Sequence, residues 1–211
     1  MHRLTALALA TAPLALTAGA IIAPAPAAAQ QDSLAQVSQH LRAVGTMRAN
    51  FVETNRAGQS VRGEMLLKRP GKIRFEYEDG VNMLVVSDGR ALTFVDYDVR
   101  QVQRWPIGDS PLSVLLNPDR DLSRFASVVS SGSANEIRIR ARDPAHPEYG
   151  TITISFRRQA SAPGGLMLMG WTVLDSQNNL TTIALSNQRF GMEIANSRFG
   201  YSDPRPRRRR R

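Results

Sequence analysis

The feature that most restricts the fold of this chain is a succession of short segments in which apolar and polar residues alternate. In one of them Ile73, Phe75 and Tyr77 alternate with charged residues. Because alternate side chains of a strand point to opposite faces, each such segment is predicted to be a strand with one buried face. The predicted strands cover 47–54, 61–68, 72–78, 83–87, 91–97, 100–105, 136–142, 149–157, 166–175 and 180–187. Turn signals such as Asp88-Gly89 separate them, so the sequence predicts one antiparallel sheet or barrel.

Two short helices are predicted to accompany these strands. Asp32 and Ser33 can cap the first helix, which ends at Gly45. Its apolar residues form one stripe, made of Leu34, Val37, Leu41 and Val44. The second helix follows Pro111, a residue favoured at the first helical position. A further helical turn is predicted within 122–129, and short edge segments are predicted over 192–195 and 198–201.

The N-terminal residues have the pattern of a secretory signal. Arg3 supplies a positive charge, 4–22 is mostly apolar, and three alanines at 27–29 precede Gln30. A membrane anchor is the alternative, but the prolines within this segment favour cleavage. The sequence therefore predicts a signal peptide over 1–29, one exported domain over 30–204 and an arginine-rich disordered tail over 205–211. The predicted location is a bacterial periplasm.

Charge and cysteine content exclude several classes of protein. The formal net charge is +9, from 27 basic and 18 acidic residues. Seven of the arginines lie in the signal and the tail, and without them 20 basic residues face 18 acids. A nearly neutral domain argues against a nucleic-acid-binding surface. The absence of cysteine excludes disulfides, thiolate metal sites, a cysteine nucleophile and a lipid-modified cysteine.

The sequence contains no motif that indicates catalysis, a cofactor or a metal site. A serine nucleophile would need His40 or His146, and both histidines are predicted to lie at the surface. The serines concerned are Ser110, Ser113 and Ser123. Asp96 and Asp98 could suggest a metal pair, but two acids without a third ligand are more typical of a hairpin turn. The chain is therefore predicted not to be an enzyme and to hold no metal or cofactor.

Methionine and aromatic residues are frequent among the predicted inward-facing side chains. Such side chains adapt to apolar ligands of variable shape. The predicted cavity residues are Phe51, Met65, Leu67, Phe75, Tyr77, Met83, Phe94, Trp105, Leu112, Leu115, Leu116, Met169 and Trp171. The alternation does not distinguish a cavity from a filled core, so an ordinary packed sandwich stays open as the alternative.

Five segments, in order along the chain, resemble the LolA family of periplasmic lipoprotein carriers. They are 47–51, 63–77, 85–96, 175–181 and 199–204. The second contains RPGKIRFEY at 69–77, and the third contains VVSDGRALTFVD at 85–96. Together with the first helix they span most of 32–204.

This resemblance implies an unclosed antiparallel β-barrel, a half-barrel, with a short helical lid. It also implies a monomeric carrier that takes acylated lipoproteins from an inner-membrane ABC transporter to an outer-membrane receptor. Arg69 matches the family's arginine that holds the lid, so it is the predicted lid latch. Three alternatives remain: a periplasmic protein-binding or stress-sensing domain of similar fold, a histidine-dependent enzyme, and an anion binder that uses the arginine tail.

Overall fold

The computed structural model describes residues 26–110, 112–143 and 146–206. Eleven strands, antiparallel to their neighbours, form one sheet. They are β1 (Thr46–Asn55), β2 (Ser60–Lys68), β3 (Lys72–Tyr77), β4 (Met83–Asp88), β5 (Ala91–Asp96), β6 (Gln101–Pro106), β7 (Ala126–Val129), β8 (Glu136–Arg142), β9 (Thr151–Arg158), β10 (Leu166–Leu174) and β11 (Leu180–Phe190). The predicted strands are confirmed, and β7 is an additional one.

Consecutive strands pair as hairpins, and β1 joins the two halves of the sheet by pairing with β11. The strand order, β6-β5-β4-β3-β2-β1-β11-β10-β9-β8-β7, leaves β6 and β7 at the two ends. The sheet is strongly curved, since the rings of Phe75 on β3 and Trp171 on β10 lie 6.0 Å apart. In a flat sheet strands four positions apart would be separated by about 19 Å. The predicted fold class, an unclosed antiparallel β-barrel, is confirmed.

Helix α1 (Pro26–Ala43) packs against the concave side of the sheet, on β7, β10 and the turn Pro163–Gly165. Its predicted stripe is confirmed, because Leu34, Val37, Leu41 and Val44 are all buried. The predicted start at Asp32 and Ser33 is wrong. The helix begins upstream, and the Ser33 Oγ donates a hydrogen bond to the Ala29 carbonyl one turn earlier instead of capping.

Helix α2 (Ser113–Leu116) is a single turn that lies over the concave face with all four of its residues buried. The prediction of a further helical turn within 122–129 is partly wrong. Only Leu122–Arg124 is helical, as a 3-10 turn capped by the Asp121 side chain. The rest is β7, because pairing with β8 places Ala126 and Val128 against the core.

The C-terminal segment after β11 crosses the convex face of the sheet. It lacks the predicted edge strands, since it is irregular apart from a 3-10 turn over Asn196–Phe199. Ile194 and Phe199 pack in a second apolar cluster with Leu66, Leu84 and Val86, which face outward from β2 and β4. Side chains of the sheet donate hydrogen bonds to the segment's carbonyl groups at Met192, Ile194, Arg198 and Gly200, in place of strand pairing.

Two predicted boundaries fall partly outside the described residues. Residues 1–25 of the predicted signal lie outside them, and 26–29 form the first turn of α1. Residues 207–211 of the predicted tail also lie outside them, as does Pro111. Among the helices that the structure describes, none has the length and apolar character needed to cross a membrane.

Candidate binding cavity

An apolar cavity of about 270 Å³ lies between the concave face of the sheet and the segment that leads into α2. Strands β3, β4 and β6 form one wall, β10 and β11 form the other, and Leu112 covers it. Its apolar lining consists of Phe75, Tyr77, Val85, Trp105, Leu112, Trp171, Val173 and Ile183. Glu53, Ser110 and Thr181 also line it. Such a wall suits a hydrocarbon chain, which gains free energy from every apolar contact that replaces water.

Aromatic rings pack against one another where the cavity meets the core. The Phe51 ring meets Phe75 and Tyr77 edge to face, with ring centroids 5.2 Å apart in both pairs. Phe51 and Tyr77 lie on β1 and β3, and Gly63 of β2 is the register partner of both. A Cβ at Gly63 would lie 2.7 Å from the Phe51 ring and 2.1 Å from the Glu76 carbonyl oxygen. Glycine at this position therefore lets the two rings meet across the intervening strand.

The structure divides the predicted cavity residues into three groups. The first group lines the cavity: Phe75, Tyr77, Trp105, Leu112 and Trp171. The second fills the core beside it: Phe51, Met65, Leu67, Leu115 and Leu116. The third is half-buried and lies outside the cavity wall: Met83, Phe94 and Met169. The alternation predicts which face of the sheet a side chain lies on. It does not predict whether that side chain borders a cavity or packs against other side chains.

Met169 illustrates why its position could not be predicted. The pairing of β10 with β9 shifts register between Leu168 and Gly170. Leu168 and Trp171 both belong to the inner core, although they are three residues apart. A β-bulge adds one extra residue to the strand here and so shifts the inward-outward alternation by one position. Met169 consequently lies outside the cavity wall.

Arg69, the predicted latch, follows the last residue of β2 and reaches the lid. Its Nη1 donates a hydrogen bond to the carbonyl oxygen of Leu115 in α2. Its Nε is also buried and has no acceptor among the described residues. Burial lowers the pKa of Arg69 to about 10, against the opposing effect of the Asp119 carboxylate. The guanidinium is therefore charged at neutral pH. Its hydrogen-bond acceptor is a carbonyl group in the last turn of α2, the end of a helix that favours a cation.

A second arginine holds the chain that follows the lid. The Arg120 guanidinium donates to the Ser113 Oγ at 2.8 Å and pairs with Asp143 at 2.9 Å. It also lies over the Phe125 ring, 4.1 Å from the centroid. These contacts line a wider, polar cleft of about 650 Å³ that borders α2 at Ser113 and Leu116. The mixed charges of this cleft suit water rather than an acyl chain.

The prediction that both histidines lie at the surface is correct for His146 and wrong for His40. His146 is exposed, stacks on Tyr149 and lies 3.0 Å from the Glu148 carboxylate. His40 is only 2% exposed, because the β9–β10 connection covers that side of α1. Its Nδ1 lies 2.6 Å from the Pro163 carbonyl oxygen, so this nitrogen carries the proton and donates.

The candidate catalytic groups have structural partners. The Ser110 Oγ accepts from the Leu112 amide, the Ser113 Oγ accepts from Arg120, and the Ser123 Oγ donates to Asp121. Asp96 accepts from two amides of its own turn and Asp98 accepts from Asn82, as expected for hairpin residues. Within the part of the chain that the structure describes, no three His, Asp or Glu side chains form a metal site.

Six residues that line the cavity were not predicted from the sequence to do so: Glu53, Val85, Ser110, Val173, Thr181 and Ile183. Glu53 is the charged one among them. It follows Met47, Ala49 and Phe51 in the inward-facing positions of β1, so its place could have been read from the same alternation. An acidic residue at the end of an otherwise apolar strand face was the available signal.

A curved sheet that encloses an apolar cavity beneath a short helix is the architecture of a carrier of apolar ligands. The chain matches the family model of the outer membrane lipoprotein carrier protein LolA over residues 42–202, and it belongs to this family. It is 29% identical to an outer-membrane lipoprotein carrier protein of Chromobacterium violaceum, over 90% of this chain and 93% of the relative.

Two further proteins are similar to this chain. A carrier of the same description from Methylobacillus flagellatus is 28% identical over 85% of this chain and 89% of its own. The crystal structure of a LolA superfamily protein from Nitrosomonas europaea superposes with a TM-score of 0.47 and 10% identity. That match covers 82% of this chain and 97% of the solved one.

Proposed function

We propose that this protein carries lipoproteins by burying their acyl chains in the cavity beneath α2. The observation that carries the proposal is the apolar wall of aromatic and aliphatic side chains directly under Leu112, next to a lid bound by Arg69. Each methylene moved from water into such a wall is worth roughly 0.8 kcal/mol. A carrier of this kind holds the acyl chains of its cargo by hydrophobic burial and needs no catalytic group.

The proposed setting is the periplasm, where the protein acts as a monomer. It receives acylated lipoproteins from an inner-membrane ABC transporter and delivers them to an outer-membrane receptor. The lipoprotein-carrier family and the export signal predicted over 1–29 support this route. The protein-binding alternative, with a permanently filled interior, predicts instead that purified protein takes up no acyl chain.

In the described state α2 lies closed over the cavity. The cavity volume of about 270 Å³ is just below the ~300–1,000 Å³ that ligand sites occupy. Cargo with several acyl chains therefore requires α2 to move outward. This movement breaks the hydrogen bond between Arg69 and Leu115, so the closed lid competes with cargo for the cavity.

The Arg69→Leu variant tests this competition. Without the guanidinium, emptying the cavity restores no hydrogen bond, so we expect normal loading and a transfer rate lowered about tenfold. Transfer is measured with a labelled lipoprotein, from the loaded carrier to outer-membrane vesicles of the source bacterium. Arg62→Leu, at an exposed position of the same strand, is the matched control and should transfer normally. Unchanged transfer by Arg69→Leu would remove the latch from the mechanism.

A further inference from the structure

The cavity wall contains one charged side chain, the carboxylate of Glu53. Its neighbours in the wall are apolar side chains, a phenol and two hydroxyl groups. The Glu53 Oε2 accepts a hydrogen bond of 2.7 Å from the Tyr77 hydroxyl. Within the described residues, Glu53 forms no ion pair and Oε1 accepts no hydrogen bond. A carboxylate held by a single hydrogen bond beside an apolar cavity keeps the capacity to accept a hydrogen bond from a ligand.

Strand geometry fixes this carboxylate at the cavity. Glu53 continues the inward-facing series of Phe51 near the end of β1, and it pairs with Ile183 of β11 and Val61 of β2. Ile183 itself lines the cavity. Glu53 and Arg69 belong to opposite ends of the barrel, since β1 ends close to Glu53 whereas Arg69 follows the far end of β2.

Tyr77 keeps the carboxylate in place as a hydrogen-bond donor. Burial raises the pKa of the Tyr77 hydroxyl above its usual range, and the adjacent Glu53 charge raises it further. The phenol therefore retains its proton and can only donate to Glu53. This contact uses one carboxylate oxygen of a residue that lines the cavity and leaves the other oxygen able to accept from a ligand.

We propose that Glu53, positioned by Tyr77, is a head-group site that selects amphiphiles whose polar end is an ammonium or an N–H donor and rejects those with an anionic end. The inference rests on the proposed function, in which acyl chains occupy the apolar part of the same cavity. A carboxylate attracts a cation and accepts from an N–H group, whereas it repels a carboxylate or phosphate.

This selection has a chemical purpose in a lipoprotein carrier. The acylated end of a lipoprotein presents the nitrogen of its first residue, as an amide N–H or as an ammonium, next to the acyl chains. Fatty acids and anionic phospholipids present a negative charge at the corresponding place. Glu53 thereby gives the carrier a basis for excluding fatty acids and anionic phospholipids, since specificity depends on repelling competitors as well as binding cargo.

The experiment compares three amphiphiles with the same chain and different ends: decylammonium, decanol and decanoate. Their dissociation constants are measured by tryptophan fluorescence for the wild type, for Glu53→Gln and for Glu64→Gln. Glu64 is the matched control, because its carboxylate lies on the outer face of β2 and pairs with Arg48. We expect the wild type and the control to bind decylammonium at least about tenfold more tightly than decanoate. In Glu53→Gln this preference should disappear.

The outcomes separate this inference from the proposed function. Binding of all three amphiphiles without preference by the wild type would overturn the head-group site and leave acyl-chain carriage standing. A preference that survives in folded Glu53→Gln would also overturn it. If the wild type bound none of them, both proposals would fall. Should Glu53→Gln not fold, the wild type alone still tests the inference. Its preference for decylammonium over decanoate should weaken as the salt concentration rises, because salt screens the carboxylate charge. A preference that does not respond to salt would overturn the head-group site.

Discussion

At the scale of single residues, His40 shows how one side chain fixes a helix to the sheet. Its ring donates to the Pro163 carbonyl and meets the Phe156 ring edge to face at 5.5 Å. The approach is close, since a Cβ at Gly164 would lie 2.7 Å from the His40 Cα. Gly164 also has φ +64, a left-handed conformation that favours glycine. The contact therefore depends on an Nδ1–H donor and on a residue without a side chain.

Acidification should destabilise the fold at His40, because a buried imidazole is costly to protonate. Burial lowers the pKa of His40 below 6.5, the bond to Pro163 opposes this effect, and the charge of Arg69 adds to it. The unfolded chain thus binds the proton more readily than the folded one, and stability falls as the pH drops below 6.5 toward the folded-state pKa. The slope can reach about 1.4 kcal/mol per pH unit.

Urea unfolding between pH 7.5 and 5.5 measures this dependence. The His40→Gln variant cannot take up the proton and should show a shallower fall than the wild type. The His146→Gln variant, at an exposed site, should behave like the wild type. Equal slopes for the wild type and His40→Gln would mean that other groups control the acid sensitivity.

At the scale of elements, the C-terminal segment acts as a strap across the convex face. The Lys68 ammonium donates to the Ile194 carbonyl at 2.7 Å, and Arg74 donates to the Gly200 carbonyl at 3.0 Å. Phe199 closes the outer apolar cluster. Because these contacts join the chain end to β2 and β3, they hold the strands that carry Phe75 and Arg69.

Removal of the Phe199 ring should loosen this strap. Phe199 is 4% exposed, so Phe199→Ala is expected to lower the free energy of unfolding by about 3–5 kcal/mol. Tyr201→Ala is the matched aromatic control, since Tyr201 is 38% exposed, and its loss should cost less than about 1 kcal/mol. Chemical denaturation measures both, and similar losses in the two variants would contradict the role of the strap.

At the scale of the whole molecule, the curvature of the sheet creates the interior. It brings β3 and β10 within ring contact although three strands separate them in the sheet. The lid and α1 then cover the concave side that this curvature leaves open. The chain has two tryptophans, and both line the cavity, so its intrinsic fluorescence reports on the interior.

A brominated acyl chain should therefore quench the fluorescence of this protein. Bromine quenches at contact, and Trp105 and Trp171 lie on two different walls of the cavity. We expect saturable quenching in the wild type and about half of it in Trp105→Phe and in Trp171→Phe. Bromoacetate, which lacks the chain, should quench weakly. Quenching that depends on only one tryptophan would place the chain outside the cavity.

Several features of the fold could be predicted because they depend on short-range periodicity. The alternation from Lys72 to Tyr77 specifies a strand whatever lies beside it, and the spacing of Leu34, Val37 and Leu41 specifies a helix stripe. The contact of Arg69 with α2 could be predicted only from the family resemblance, since an arginine before proline is most often exposed. His40 could not be predicted, because the loop that buries it is more than a hundred residues away.

The strands, the apolar face of α1 and the family can all be read from the amino-acid sequence, since each follows from residues that are close along the chain or in a fixed order. Which inward-facing side chains line a cavity and which fill the core becomes clear only from the folded arrangement. That division depends on the curvature of the sheet, on the bulge at Met169 and on where α2 lies. Each of these results from contacts among distant strands, where packing density rather than periodicity decides whether space remains.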